Sequence, residues 1–218
     1  MTEPRKTVPE HSIGNTRQRH GNPAGDAAGA FGSTSSARAF VGVGSNINPS
    51  ESVFGALAEL ERAPGVELIG ISTFYRTRAL PAPGAPPGSL GADPDYLNGV
   101  LALATTLDPK ALSKTLEGVE TAMGRARTGE KFAPRTMDLD LLLFTPAGET
   151  TTPLDDPPPH PEIRARPFVA IPLLELAPDL LLPPDGTPLR KIAASFTGPG
   201  GKEETAFTER LKARFLSR

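Results

Sequence analysis

Between residues 38 and 144 the sequence changes its hydrophobic period repeatedly, and that order of periods restricts the fold more than any other feature. Ala39–Gly44 is a short apolar run of strand length, closed by the turn residues Gly44-Ser45-Asn46. Asn48-Pro49 then predicts a helix start, with Asn48 as the cap, Pro49 at the first position and Glu51 three residues after the cap. Val53, Leu57 and Leu60 give this helix one apolar face, and Pro64-Gly65 ends it. Val66–Thr77 reads as a second strand, and Arg78–Pro94 as a long Pro/Gly loop of the kind compact domains keep for function. Tyr96–Thr106 reads as a third strand. Asp108-Pro109 caps a second helix with the stripe Leu112, Leu116, Val119 and Met123, and Gly124 lies just past its end. Arg125–Thr136 is a basic loop that runs into a fourth strand, Asp138–Phe144.

The order β-α-β-β-α-β is that of a ferredoxin-like α+β sandwich. Pro167–Ala177 and Thr187–Ser195 read as additional C-terminal helices. Residues 1–37 hold no Leu and only Val8 and Ile13 as branched aliphatics, too little apolar surface to offset the entropy of ordering, so they read as a disordered tail. The body is then 38–200, ample for one core. Residues 201–218 form an extension in which Phe207, Leu211 and Phe215 recur at helical spacing.

Composition excludes several function classes. A net charge of −2 leaves no basic excess to hold a nucleic-acid backbone. The absence of Cys removes disulfides, thiolate metal sites and thiol nucleophiles. One His in the body argues against a zinc site and against a Ser-His hydrolase. No apolar run approaches the roughly 18 residues of a membrane helix, and no secretory leader is visible. The expectation is a cytoplasmic protein without a membrane partner.

The sharpest chemical feature is Pro134-Arg135-Thr136-Met137-Asp138-Leu139-Asp140-Leu141-Leu142-Leu143-Phe144. Side chains alternate along a strand, so Asp138 and Asp140 share a face, which Leu142 and Phe144 are expected to continue. Two carboxylates at the mouth of a core strand repel each other and lose hydration; divalent cations relieve both costs, and oxygen ligands suit Mg²⁺ or Mn²⁺. The loop before them carries Arg125, Arg127, Lys131 and Arg135 against Glu130. Guanidinium forks facing a metal-binding acid pair are what a polyphosphate–Mg²⁺ complex needs. Both the P-loop and the dinucleotide fingerprint are missing: Gly42-Val43-Gly44 follows a strand, but Ile47 stands at the third glycine position. Tyr96 and Asn98 lie two apart on the third strand, where an amide beside an aromatic ring can read a flat heterocycle; packing roles for the pair stay open. Asp155-Asp156-Pro157-Pro158-Pro159-His160-Pro161 is a stiff turn because prolines fix φ, and it presents His160 to a ligand or to the core.

Six segments occur in order along the chain. They are Ala39–Asn46, Phe74-Tyr75-Arg76-Thr77, Pro94-Asp95-Tyr96-Leu97-Asn98, Gly124-Arg125-Ala126-Arg127, Pro134–Phe144 and Pro159-His160-Pro161. Over about residues 38–196 the chain closely resembles the 6-hydroxymethyl-7,8-dihydropterin pyrophosphokinases of folate biosynthesis. The resemblance implies the ferredoxin-like sandwich and transfer of the β,γ-diphosphate of ATP to the hydroxymethyl oxygen of the pterin, with release of AMP. It implies that Asp138 and Asp140 hold two Mg²⁺ ions, that Asp138 also belongs to the pterin site, and that Arg125 and Arg127 contact the transferring phosphates. Glu120, Arg135, Leu141, His160 and Arg166 would lie at ATP. Tyr96 and Phe168 would sandwich the pterin, with Asn98, Thr77 and the backbone of Leu80 at its edge, and Phe132 would stand on the closing loop where the family usually has Trp.

The sequence departs from the family pattern at Arg78, where Pro is usual, at Phe132, at Asp155-Asp156-Pro157 and in the length of the 78–94 loop. These positions bear on loop closure and affinity, not on reaction class. The remaining residues leave no room for a second folate-pathway domain, so a single-activity monomer is expected. Two other readings stay open: a nucleic-acid module on the same fold, which would need a basic sheet face with exposed aromatics, and another Mg²⁺-dependent nucleotidyl or phosphoryl transferase, which would share the acids but not the set Thr77, Tyr96, Asn98 and Phe168.

Overall fold

The computed structural model describes residues 36–79, 94–124, 136–149 and 159–217. The expected 1–37 tail and the 78–94 and 125–136 loops fall largely outside these residues. The described chain runs β1 (Ala37–Ser45), α1 (Pro49–Arg62), β2 (Val66–Ile71), β3 (Tyr75–Thr77), β4 (Tyr96–Thr105), α2 (Pro109–Ala122) and β5 (Asp138–Thr145). It continues through α3 (Glu162–Ala165), α4 (Pro167–Leu176), β6 (Leu181–Leu182), β7 (Thr187–Pro188), α5 (Leu189–Ala193), β8 (Gly201–Glu203) and α6 (Thr205–Phe215).

The main sheet has the order β5-β1-β4-β3-β8, with β2 beside β4 as well, and every pairing is antiparallel. β2 and β3 together fill the place of one strand, so the arrangement is the fourth-first-third-second order of the ferredoxin-like sandwich. Helices cover both faces. On one face α1, α2 and α6 pack over Val41, Val43, Leu97, Leu101 and Leu103. On the other, Ile163, Ala170, Leu173 and Ile192 from α3, α4 and α5 pack over Phe40, Val100, Leu142 and Leu143. The expected C-terminal helices are thus the cover of the second face, which they leave open at one end.

Local chemistry accounts for the elements. α1 buries Val53, Ala56, Leu57 and Leu60, spaced to form one stripe, and each buried Leu contributes about 1.5–3 kcal/mol. Asp108 caps α2 by accepting the Ala111 N–H at 2.8 Å, and Gly124 follows the helix at φ 80°. Asn48 does not cap α1 with its side chain as expected. It sits in the left-handed region at φ 45°, which Asn tolerates, and its carbonyl accepts the Ser52 N–H at 2.9 Å.

The single strand expected over Val66–Thr77 is broken. Ser72 replaces part of the ladder: its N–H donates to the Val100 carbonyl (3.0 Å) and its hydroxyl accepts the Val100 N–H (2.8 Å). This corner turns Phe74 into the first core, where its ring fills space that a Cβ on Gly99 would enter at 2.7 Å. A second irregularity lies in β5. Phe40 pairs Leu143 and Val41 pairs Leu141, so Leu142 is an extra residue and the alternation flips. Leu142 stays on the face of Asp138 and Asp140, but Phe144, expected there, packs into the opposite core. Of the helix expected over Thr187–Ser195, the first two residues instead form β7 against β6.

The last segment belongs to the same body. β8 pairs β3, and α6 inserts Phe207, Leu211 and Phe215 into the first core. The Phe207 ring stands edge-on to Phe54 of α1 (5.7 Å) and to Phe74 (5.5 Å).

Candidate active site

The open end of the second face is built on glycine. In β1, Phe40, Gly42 and Gly44 share that face, and only Phe40 carries a side chain. Gly44 pairs Asn98 on one side and Asp138 on the other; Gly42 pairs Asp140. A Cβ on Gly44 would lie 3.1 Å from Asn98 Oδ1 and 3.8 Å from Asp138 Cβ. The glycine therefore leaves a bare floor between an amide and a carboxylate, which stand one strand to either side of it. Neighbouring the floor, the buried Ser45 hydroxyl donates to the Thr136 carbonyl at 2.6 Å, tying the end of β1 to the lead-in of β5.

The amide side is pre-ordered. Asn98 Nδ2 donates to the buried Thr77 Oγ1 at 2.7 Å, so its orientation is set and its Oδ1 is directed over Gly44. Tyr96 pairs Thr77 and Asn98 pairs Tyr75 in the β3–β4 ladder. The Tyr75 hydroxyl donates to Glu175 Oε1 (3.1 Å), and the Thr73 N–H donates to Glu175 Oε2 (2.7 Å), which locks the β2–β3 corner to α4. Burial, with the Glu175 carboxylate beside it, holds the Tyr75 phenol above its ordinary range, so it stays a neutral donor.

The carboxylate side is electrostatically costly. Asp140 is half-buried; loss of hydration first, then the charge of Asp138, push its carboxyl up from 3.8 to about 6, while His160 partly offsets this. Beneath the pair, buried Glu120 of α2 accepts the Leu139 N–H at 2.8 Å, fixing the strand between the two acids. Among the described residues no group of three or more His, Asp or Glu is placed to hold a metal. Two carboxylates alone suit Mg²⁺, which keeps water and takes its remaining oxygens from substrate phosphates. An acid pair that is half-buried and mutually repelling, on a floor without side chains, fits such ions.

The other expected residues distribute as follows. The His160 N–H donates to the Leu142 carbonyl (2.7 Å), and the Glu162 N–H donates to its Nδ1 (3.4 Å). A cavity of about 470 Å³ lies beside it, lined also by Ile163, Arg164 and Leu182. Arg166 and Phe168 open α4 and line a cleft of about 560 Å³ together with Thr77, Arg78, Gly201 and Lys202. Leu141 packs its side chain against the first core, on the face away from the acids, so only its backbone can meet a ligand there. Leu80, Arg125, Arg127, Phe132 and Arg135 lie outside the described residues. Sequence reasoning missed the floor glycines as site elements; the signal was present in Gly42-Val43-Gly44, whose period of two bares one face of a strand.

Residues 40–178 match the family described as 7,8-dihydro-6-hydroxymethylpterin-pyrophosphokinase (HPPK). The chain is similar to the 2-amino-4-hydroxy-6-hydroxymethyldihydropteridine pyrophosphokinase of Pseudomonas aeruginosa, with 40% identity over 163 residues, 72% of this chain and 91% of the relative. It is also similar to the protein of that name from Synechocystis sp., with 40% identity over 149 residues, 68% of this chain and 70% of the relative. The fold matches a crystal structure of an HPPK-DHPS protein in complex with substrates at a TM-score of 0.51 and 12% identity, over 83% of this chain and 45% of that one.

Proposed function

Because the chain belongs to the 7,8-dihydro-6-hydroxymethylpterin-pyrophosphokinase family and so has the pyrophosphokinase activity of folate biosynthesis, we propose that ATP is its diphosphate donor and that two Mg²⁺ ions held by Asp138 and Asp140 are required. The acceptor is 6-hydroxymethyl-7,8-dihydropterin. Its hydroxymethyl oxygen attacks the β-phosphorus of ATP, the bond from that phosphorus to the α–β bridging oxygen breaks, AMP leaves, and the hydroxyl proton is released. When bound, the ions supply charge neutralisation for the triphosphate and acidify the attacking hydroxyl.

The chain's own residues position and enclose. Asn98, held by Thr77, reads the pterin edge, and Tyr96 and Phe168 take its faces. Arg125, Arg127, Arg135 and Arg166 pair with phosphates, His160 is presented to them, and the ATP site extends to Glu120 and the Leu141 backbone. Leu80 and Phe132 complete the pterin side. Such a reaction needs in-line placement and exclusion of water more than a covalent catalyst.

The observation that carries this reading is the row Asn98–Gly44–Asp138. The group that can recognise a heterocycle and the group that can hold a metal face each other across a glycine of the strand between them, so a substrate read at one end presents its reactive substituent to the other. The test is AMP formation from ATP and Mg²⁺, with and without the pterin. AMP only with the pterin, lost by at least a thousandfold in Asp138→Ala, supports the reading. Pterin-independent ADP or AMP, or turnover in Asp138→Ala near that of the wild type, refutes it. The proposal extends to a cytoplasmic monomer acting on small molecules, without nucleic acid. Among the described residues no helix is long and apolar enough to cross a membrane.

A further inference from the structure

The match to the family stops at residue 178, yet β8 lies beyond it and lines the 560 Å³ cleft, while α6, also beyond it, packs into the first core. We propose that β8 is a positioning element for the pterin, and that Gly201 is the residue through which it acts, by setting where Thr77 and Phe168 stand on either side of the cleft. This rests on the assignment of Thr77 and Phe168 to the pterin site.

Three observations converge. First, β8 is latched to β3 along its whole length. Gly201, Lys202 and Glu203 pair Thr77, Arg76 and Tyr75. Just beyond, the Glu204 N–H donates to the Phe74 carbonyl (2.9 Å), and Arg76 Nε donates to Glu204 Oε1 (2.8 Å). The Phe74 N–H donates to Thr208 Oγ1 of α6 (2.9 Å). β3 is therefore held on one edge by β4, through which Thr77 meets Asn98, and on the other by the C-terminal segment.

Second, the approach at Gly201 is too close for any side chain. A Cβ there would collide with the Arg76 carbonyl oxygen and lie 2.8 Å from Thr77 Cγ2 and 3.0 Å from the Arg76 carbonyl carbon. Two of these neighbours are backbone, which cannot swing aside as a side chain can, so an added methyl has to move one strand against the other. Third, the preceding residue faces the opposite wall. Gly200 has φ 76°, and a Cβ on it would lie 3.1 Å from Pro167 Cγ, next to Phe168. The Gly200-Gly201 pair is thus a spacer of minimal thickness between β3 and the start of α4, and both walls carry residues that line the 560 Å³ cleft.

The experiment is steady-state kinetics of Gly201→Ala and Gly200→Ala in the full chain, with melting temperatures as a control. Thr77 fixes Asn98, so displacing β3 weakens pterin recognition and leaves the acid pair on β5, three strands away in the sheet, in place. The expected result is a KM for the pterin raised at least tenfold in Gly201→Ala, with kcat and the KM for ATP within threefold of the wild type, and a smaller shift of the same kind in Gly200→Ala. If Gly201→Ala does not fold, Gly200→Ala alone carries the test. A lowered melting temperature with an unchanged pterin KM, or equal losses for both substrates, overturns the proposal and leaves β8 as scaffolding. A wild-type chain that turns over no pterin instead refutes the functional reading, so the two failures are distinguishable.

Discussion

Asp140→Asn tests whether the acid pair is held at a cost to the fold. In the folded chain, burial and Asp138 push the Asp140 carboxyl from 3.8 up to about 6. A raised carboxyl favours the neutral form in the native state, so stability is full below the unfolded value and is lost as pH rises through about 6. Two pH units at about 1.36 kcal/mol each set a ceiling of about 3 kcal/mol. Asp140 keeps some contact with water, and that screening brings the loss to about 1–2 kcal/mol, most of it between pH 4 and 7. Asn keeps the shape and cannot ionise. For a folded unit of this size that is a gain of roughly 2–8 °C in melting temperature at pH 8. The assay is thermal unfolding by circular dichroism in EDTA at pH 4 and pH 8, comparing variant with wild type. Effects of the amide that do not depend on pH cancel between the two conditions. The variant should be close to the wild type at pH 4 and clearly more stable at pH 8, while losing turnover. A gap that is the same at both pH values, or a variant less stable at pH 8, refutes the reasoning. Added Mg²⁺ should raise the wild-type melting temperature more at pH 8 than at pH 4.

Asn98→Ala removes the amide over the Gly44 floor and should raise the dissociation constant of the pterin at least tenfold, with ATP binding within twofold; calorimetric titration of each ligand checks this, and equal losses would displace Asn98 from the pterin side. Ser72→Ala strips the Val100 N–H of its acceptor inside the core, which should cost about 1–3 kcal/mol in urea unfolding. A loss under about 0.5 kcal/mol would mean the β2–β3 corner does not depend on that hydroxyl.

The parts of this molecule that were legible in its sequence are those governed by local chemistry. Asp108-Pro109 and Gly124 mark α2 because a carboxylate cap, a preset φ and a left-handed terminus act within a few residues. The acid pair was legible because a strand places alternate side chains on one face. Where tertiary packing decides, the local signal fails. Nothing in Leu141-Leu142-Leu143 tells which Leu is the extra residue, and the flip that sends Phe144 to the other core follows from register against β1. Ser72 looks like any polar residue in a strand until Val100 is set beside it. Asn48 carries a correct helix start for a different reason: its backbone in the left-handed region, and not its side chain, makes the turn.

The C-terminal segment shows the same limit at the site itself. Phe207, Leu211 and Phe215 predict a helix, but periodicity cannot say which core receives it. Only beside β3 does Gly201 become a residue with no room for a methyl group, and only then does the segment acquire a bearing on Thr77. The acids and the amide came from motifs because their chemistry is carried by side chains. The glycines that make space for substrate, Gly44 in the floor and Gly201 in the wall, act by what they lack, and that is visible only against the atoms an added side chain would meet.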